Sequence, residues 1–245
     1  LTVYTLIRIK LKGAWKMFVM CKREFISLFK GIKSIIMIAI LFAVSYYASK
    51  FSSVLSSGVE LTAGEAEDIH TIGLLSIILL LGQLFVFGLS HDTINREIHE
   101  RTMRFLVTRA SRSTILFGKF LGIWLFWLVC IVVSFMLISI FSKKFDLFIF
   151  SQTMSLVTYQ AALAVLLSVL IPRPGYTMFL GNILGLMLPA FGFWAAFSPN
   201  GWVNWMKYFI PFYYLERDDF TFLVILGLAG MMLLAANAVF RRREC

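Results

Sequence analysis

The chain has 245 residues, of which 60% are hydrophobic and 15% charged, and its mean hydropathy is +0.85. A soluble domain does not keep that much apolar surface in solution, so the composition points to an integral membrane protein. The net charge of +10 does not indicate a nucleic-acid-binding surface, because the basic residues flank apolar runs, where they set orientation and meet anionic lipid headgroups.

Six uncharged apolar runs lie at 34–49, 71–90, 120–142, 150–171, 177–197 and 220–240, each close to the roughly 20 residues that a helical span requires. They are continuous and lack the period-two alternation of a transmembrane barrel. The expected fold is therefore all-α integral membrane: six transmembrane helices, an N-terminal amphipathic interfacial helix, and N and C termini cytoplasmic, in one transmembrane domain over 1–245. With both ends inside, 18 of the 23 Lys and Arg residues fall on the cytoplasmic side, and most acidic residues fall outside. No cleavable leader is read in the long basic N-terminal region, so the first apolar run is expected to act as a retained anchor. Cys21, Cys130 and Cys245 are far apart, and neither a disulfide framework nor a metal site is expected.

The first element is an amphipathic entry helix over 12–31. On a helical wheel Trp15, Phe18, Val19, Phe25, Ile26 and Phe29 share one face and Lys16, Arg23, Ser27 and Lys30 the other, with Lys22 as the exception, its stem lying among the aromatics. Such a helix lies in the inner interface and leads into the first span at Gly31. That span ends at Tyr46 and Tyr47, at interface depth. The polar acidic stretch 52–71 carries no clear secondary-structure signal. The second span holds Gly82, Gln83 and Gly88, which suit a close helix contact or a polar lining.

Next comes a charged passage, 91–119. An acidic residue precedes an arginine by four at Asp92/Arg96, Glu97/Arg101 and Glu100/Arg104, a pattern that predicts an exposed helix. Ile94, Ile98 and Phe105 then fall in one narrow arc, an apolar stripe suited to a protein partner. The alternative reading is a solvated loop whose arginines only orient the chain.

The third span carries Trp124 and Trp127, and the turn near Lys143 to Asp146 leaves no room for an external domain. Pro172, Arg173, Pro174 and Gly175 force a tight turn after the fourth span, predicting that spans four and five are antiparallel neighbours. In the fifth span Gly181 and Gly185 form a small-xxx-small pattern beside Asn182, suited to close helix contact. An aromatic passage broken by Pro199, Gly201 and Pro211 predicts an external re-entrant or interfacial segment over 198–219. The last span ends at Arg241 to Arg243.

Several chemistries are missing. There is no GxxxxGK[ST] phosphate loop, so the chain is not expected to hydrolyse nucleotide itself. His91 and His99 do not form an HExxH pair. The spans hold no ionised residue of the kind that ion-coupled carriers bury, nor a paired-carboxylate, His/metal or activated-serine set. Active transport would therefore need an external energy source, and the chain is not expected to be an enzyme by itself.

The passage INREIHERTMRFLVTRASRSTILFGKFLG resembles the cytoplasmic signature of type-2 ABC exporter permeases. Glu97, Thr102, Leu106, Arg112, Gly118 and Lys119 stand at matching positions, whereas Arg101 replaces the family's glycine and Arg109 its proline. The entry helix, six spans, aromatic break and terminal Phe-Arg-Arg-Arg extend the similarity over nearly the whole chain. The resemblance implies a permease in the cell membrane that pairs with a second copy or a similar permease and docks on a separate cytoplasmic ATPase subunit. ATP and Mg are then expected on that partner, with no cofactor on this chain and no nucleic acid among the partners. The ATPase-coupling candidates are Ile94, Glu97, Ile98, Glu100, Thr102, Phe105, Leu106 and Arg112. Gln83, Phe87, Asn182, Phe191 and Trp194 are substrate-path candidates, and Gly181 and Gly185 dimer-contact candidates. An outward-moved amphipathic or apolar substrate, such as a membrane-active peptide or a drug, is expected. The alternatives are a glycolipid or polysaccharide exporter, or a membrane anchor that transports nothing.

Overall fold

The computed structural model describes the backbone of residues 2–58, 63–143, 145–197, 208, 210–215 and 219–242, and side chains over a narrower set that leaves out 2–12, 48–49, 51–58, 63–73, 141–142, 193 and 196–197. The described backbone is helical throughout apart from turns. Helix α1 spans Thr2–Lys30, α2 Ile32–Gly58 and α3 Ala63–Ser90. Two short helices follow, α4 at Asn95–His99 and α5 at Met103–Val107. Three long ones come next, α6 at Arg112–Ser142, α7 at Leu147–Leu170 and α8 at Pro174–Phe197. The short α9 at Phe212–Leu215 and a 3₁₀ turn at Phe220–Phe222 precede α10 at Leu223–Arg242.

Among the described residues five helices are long and apolar enough to cross a membrane; a sixth span is present if α1 and α2, bent by 74° at Gly31, count as one broken span. The stretch 52–71, which carries no clear secondary-structure signal, is helical over 52–58 and 63–71, because α2 continues to Gly58 and α3 starts at Ala63. Its Ala-Gly-Glu-Ala-Glu-Asp sequence combines strong helix formers with acidic residues, which favour the first turn of a helix. The expected external segment 198–219 lies mostly outside the described residues.

Local chemistry explains the helix ends. Ser111 caps α6 by accepting from the Thr114 amide, and Asp146 caps α7 by accepting from the amides of Phe148 and Ile149. Lys143, in left-handed conformation at φ 56°, closes α6. After α7, Ile171 to Arg173 make the turn and Pro174 opens α8, where its missing N–H costs no helical bond.

Helix α7 is the centre of the bundle, 72% buried along its apolar length. Helices α3 and α10 pack most extensively on it, α6 less so. Trp124 of α6 is tied to α7 by a 2.9 Å hydrogen bond from its indole N–H to the Thr158 hydroxyl. The tight turn does not make α7 and α8 close neighbours: α8 packs chiefly on α3 and touches α7 little. Helix α1 lies along α6. Gly118 and Gly122 of α6 let it come close, since a Cβ at Gly118 would stand 3.0 Å from the Met17 carbonyl oxygen and one at Gly122 2.8 Å from that of Cys21. The expected apolar face of α1 is accordingly divided. Phe25 and Phe29 pack on the core, whereas Trp15, Phe18, Val19 and Ile26 point outward.

Candidate functional site

The end of the bundle that carries 91–119 is built around one ammonium group. Lys119 sits on the first turns of α6, fully buried, and its Nζ directs its three protons to three acceptors: Glu97 Oε1 at 2.9 Å, the Thr93 carbonyl at 2.7 Å and Glu24 Oε2 at 3.3 Å. The acceptors belong to α4, the α3–α4 turn and α1. The close approach at Gly118 and Gly122 brings Glu24 within reach, since the Cβ position of Gly122 lies 2.7 Å from Glu24 Cβ. Glu97 Oε2 is buried without a hydrogen-bond partner among the described residues. An ion cluster with so little water contact is strongly destabilised by losing one member, because the charges that remain are uncompensated.

The other side of α4 is held as firmly. Asn95, fully buried, donates through Nδ2 to the Ile171 carbonyl at 3.1 Å and to Thr177 Oγ1 at 2.6 Å, and its Oδ1 accepts from the Ser168 hydroxyl at 3.3 Å. Ser168 Oγ in turn accepts from the amides of Ile94 and Asn95, at 2.8 and 3.2 Å. These are first-turn amides of α4, which have no acceptor within their own helix. A five-residue helix is thus a crosspiece joining the adjoining ends of α7 and α8 to α6 and α1.

The passage is not the single exposed helix that the charge spacing predicts. Arg101 adopts φ 59°, in the left-handed region, and separates α4 from α5. Of the three expected i,i+4 pairs, Asp92 and Arg96 meet at 3.3 Å, whereas Glu97 turns inward to Lys119. A distant buried cation in low dielectric outweighs an exposed arginine one turn away, since an exposed helical pair contributes only about 0.3–0.5 kcal/mol.

The break also divides the expected apolar stripe. Ile94 is fully buried, Ile98 is half-buried against the core, and Phe105 is 74% exposed. Around Phe105, Met103 is buried and Leu106 and Val107 pack on the core, while Arg101, Arg104 and Arg109 are exposed. Glu100 and Thr102 are exposed as well, and the Thr102 hydroxyl donates to the Glu97 carbonyl at 3.3 Å, closing α4. Arg112 donates through Nη1 to the carbonyls of Phe240 and Arg241, at 3.2 and 3.0 Å, near the C-terminal end of α10.

Gly181 and Gly185 are turned toward α3 of the same chain. A Cβ at Gly181 would collide with the Phe87 ring, and one at Gly185 would stand 2.7 Å from Leu84 Cδ2. The close helix contact that the pattern predicts is made here within the chain; small residues specify a close approach and leave its partner open.

The substrate-path candidates do not share one lining. Phe87 is fully buried beneath Gly181, Asn182 and Phe191 are half-buried, and Trp194 is 53% exposed. Gln83 borders a cavity of about 20 Å³ between α3, α7 and α8, together with Gln160, which is room for a water molecule and too little for a substrate. Gln160 donates to the Ile78 carbonyl at 3.1 Å, while Gln83 Nε2 and Gln160 Oε1 lack partners among the described residues. One bridging water would satisfy both.

Sequence reasoning passed over Glu24, Asn95, Ser168 and Thr177. Glu24 had a signal, as the only acidic residue among the first 59. The other three are polar residues near span ends, with nothing in their spacing to link them.

The fold is thus a polytopic helical membrane protein with a fixed joint and a short exposed helix at one end, an arrangement suited to passing motion from a partner into the bundle. The chain belongs to the ABC-2 transporter family: the model described as ABC-2 family transporter protein matches residues 56–216. It is accordingly the membrane subunit of an ABC transporter, and family membership implies partnership with an ABC ATPase subunit. No curated protein matches the chain.

Proposed function

We propose that the chain is an exporter permease with six spans and both termini cytoplasmic, working in the plasma membrane as a pair with a second copy or a similar permease. Its ATPase subunit, which carries the ATP and Mg, docks on α5. The observation that carries this reading is the exposure of Phe105: a large aromatic stands out among three exposed arginines, on a helix whose neighbour α4 is locked into the bundle. Aromatic and arginine side chains dominate protein contacts energetically. Movement of α5 would pass through α4 and Lys119 to α1 and α6, and through Asn95 to α7 and α8.

The substrate in this reading is amphipathic or apolar, and it passes between the paired permeases. The small size of the cavity between α3, α7 and α8 supports a route outside the single chain, and the exposed Phe179, Leu186, Met187 and Trp194 of α8 supply an apolar wall. The test is copurification of the ATPase subunit and substrate-stimulated ATP hydrolysis, comparing the native chain with Phe105→Asp at matched membrane abundance. Retained association and retained efflux in the variant would remove α5 as the docking element. Stimulation by polysaccharide precursors and not by amphipathic peptides would overturn the substrate class.

A further inference from the structure

The 74° bend between α1 and α2 opens a cavity of about 420 Å³ at the elbow, beside the end of α3. Gly31 interrupts the helix, and its carbonyl accepts from the Ile35 amide, so α2 starts afresh. The amides of Ile32, Lys33 and Ser34, which border the cavity, have no acceptor among the described residues. They present the positive end of a 27-residue helix. Ser34 supplies a second and independent observation. It borders the same cavity, is only 2% exposed, and its hydroxyl has no hydrogen-bond partner among the described residues.

The charges around the cavity do not cancel. Its two acids are engaged with other groups, Glu24 with Lys119 and Asp92 with Arg96, each at 3.3 Å. Lys30 and Lys33, which also line it, form no ion pair among the described residues. His91 completes the polar wall, with Nδ1 held by the Phe87 carbonyl at 2.8 Å. Unpaired lysines, free first-turn amides and a buried hydroxyl together make a receptor for a tetrahedral oxyanion.

We propose that this elbow binds a phosphate group, and that the group is the headgroup phosphate of an anionic membrane phospholipid. The lipid is favoured over a free phosphate because the helices on both sides of the cavity turn apolar side chains outward, Trp15, Phe18 and Val19 on α1 and Ile32, Ile35 and Ile36 on α2. Acyl chains can lie along these surfaces while the headgroup sits at the bend. An occupied site would brace the elbow, and through Glu24 it would bear on the Lys119 joint. The site requires no particular transported substrate and stands whether or not α5 docks an ATPase.

The test uses the full chain in neutral detergent, with bound lipid counted by native mass spectrometry during titration with phosphatidylglycerol or phosphatidylcholine. Three variants are compared: Lys30→Gln/Lys33→Gln, Ser34→Ala, and a control, Lys16→Gln/Arg23→Gln, which removes the same charge from α1 away from the cavity. Phosphatidylglycerol should bind several-fold more tightly than phosphatidylcholine. The Lys30/Lys33 variant should lose roughly twenty-five-fold of that affinity, since each of the two basic side chains near an anionic headgroup contributes a factor of about five. Ser34→Ala should lose about two- to threefold, and the control less than twofold. Displacement of the lipid by millimolar inorganic phosphate would keep the phosphate site and make soluble phosphates equally good occupants; retention of the lipid would assign the site to the headgroup. Equal binding of the two lipids by the native chain, or equal losses in the two double variants, would overturn the proposal, because the attraction would then be diffuse surface charge.

Discussion

Helices α4 and α5 have the same length, lie a few residues apart and derive from one charged passage, yet they have opposite surroundings. Asn95 and Glu97 of α4 are buried and bonded to three long helices and to the turn between two of them, whereas α5 keeps Met103 for the core and holds Phe105 out. The difference shows how a short segment at a membrane surface can be both fixed and available. One half is pinned by polar contacts that would be costly to leave unmade, and the other leaves a large aromatic side chain exposed. Arg101 separates them, and its left-handed backbone resets the helical phase.

The comparison can be broken most severely at Lys119. Lys119→Met should destabilise the fold by about 3–5 kcal/mol, because Glu24 and Glu97 remain buried without a counter-charge. Unfolding in graded mixtures of mild detergent and SDS would measure this. Adding Glu24→Gln and Glu97→Gln should restore most of the loss, and native-like stability of Lys119→Met alone would show that the joint bears no load.

On the α7/α8 side, Asn95→Ala leaves the Ile171 carbonyl without its donor and the Ser168 hydroxyl without its acceptor in buried surroundings, for an expected loss of about 1–3 kcal/mol in the same assay. An unchanged unfolding midpoint would mean that α4 is held by its ionic side alone.

Phe105→Asp probes the other half. Its stability should stay within about 0.5 kcal/mol of native, as for other exposed positions. Association with the ATPase subunit should weaken by on the order of 2 kcal/mol, or roughly thirtyfold. A stability loss as large as that of Asn95→Ala would abolish the contrast between the two helices.

The smallest effect is expected at the boundary. Arg101→Gly removes a Cβ from left-handed backbone, a strain of about 1–2 kcal/mol, and gives part of it back as the entropy of a more flexible unfolded chain. A net gain of about 0.5–1 kcal/mol should result. A loss instead would indicate that the arginine side chain makes a contribution larger than the strain. The permease signature that the passage resembles has glycine at this place, the residue that a φ of 59° favours.

Much of the site was written in residues whose meaning depends on distant neighbours. The Pro172 to Gly175 turn, the Gly31 break and the capping residues Ser111 and Asp146 act within a few residues of themselves, so the helix ends they make, though not the neighbours of those helices, can be read along the chain. Glu97 has two cations within reach, Arg101 nearby in sequence and Lys119 in space, and spacing alone favours the first. Only the packing of α1 on α6 through Gly118 and Gly122, which buries the site, turns the choice to the second.

By itself the sequence determined that the protein is a helical membrane protein with several long apolar helices, and which permease signature its charged passage resembles. These properties rest on apolar length, on charge beside apolar runs and on residues that start or stop helices locally. The tertiary structure alone decided which helices touch: that Gly181 and Gly185 receive α3 of the same chain, that α8 leaves α7 for α3, and that Glu24, Glu97 and Lys119 meet. The physical reason is that membrane helices are apolar on nearly every face, so hydrophobic periodicity no longer marks the buried side. Partners are chosen instead by small residues that admit a close backbone and by a few buried polar groups that must find one another.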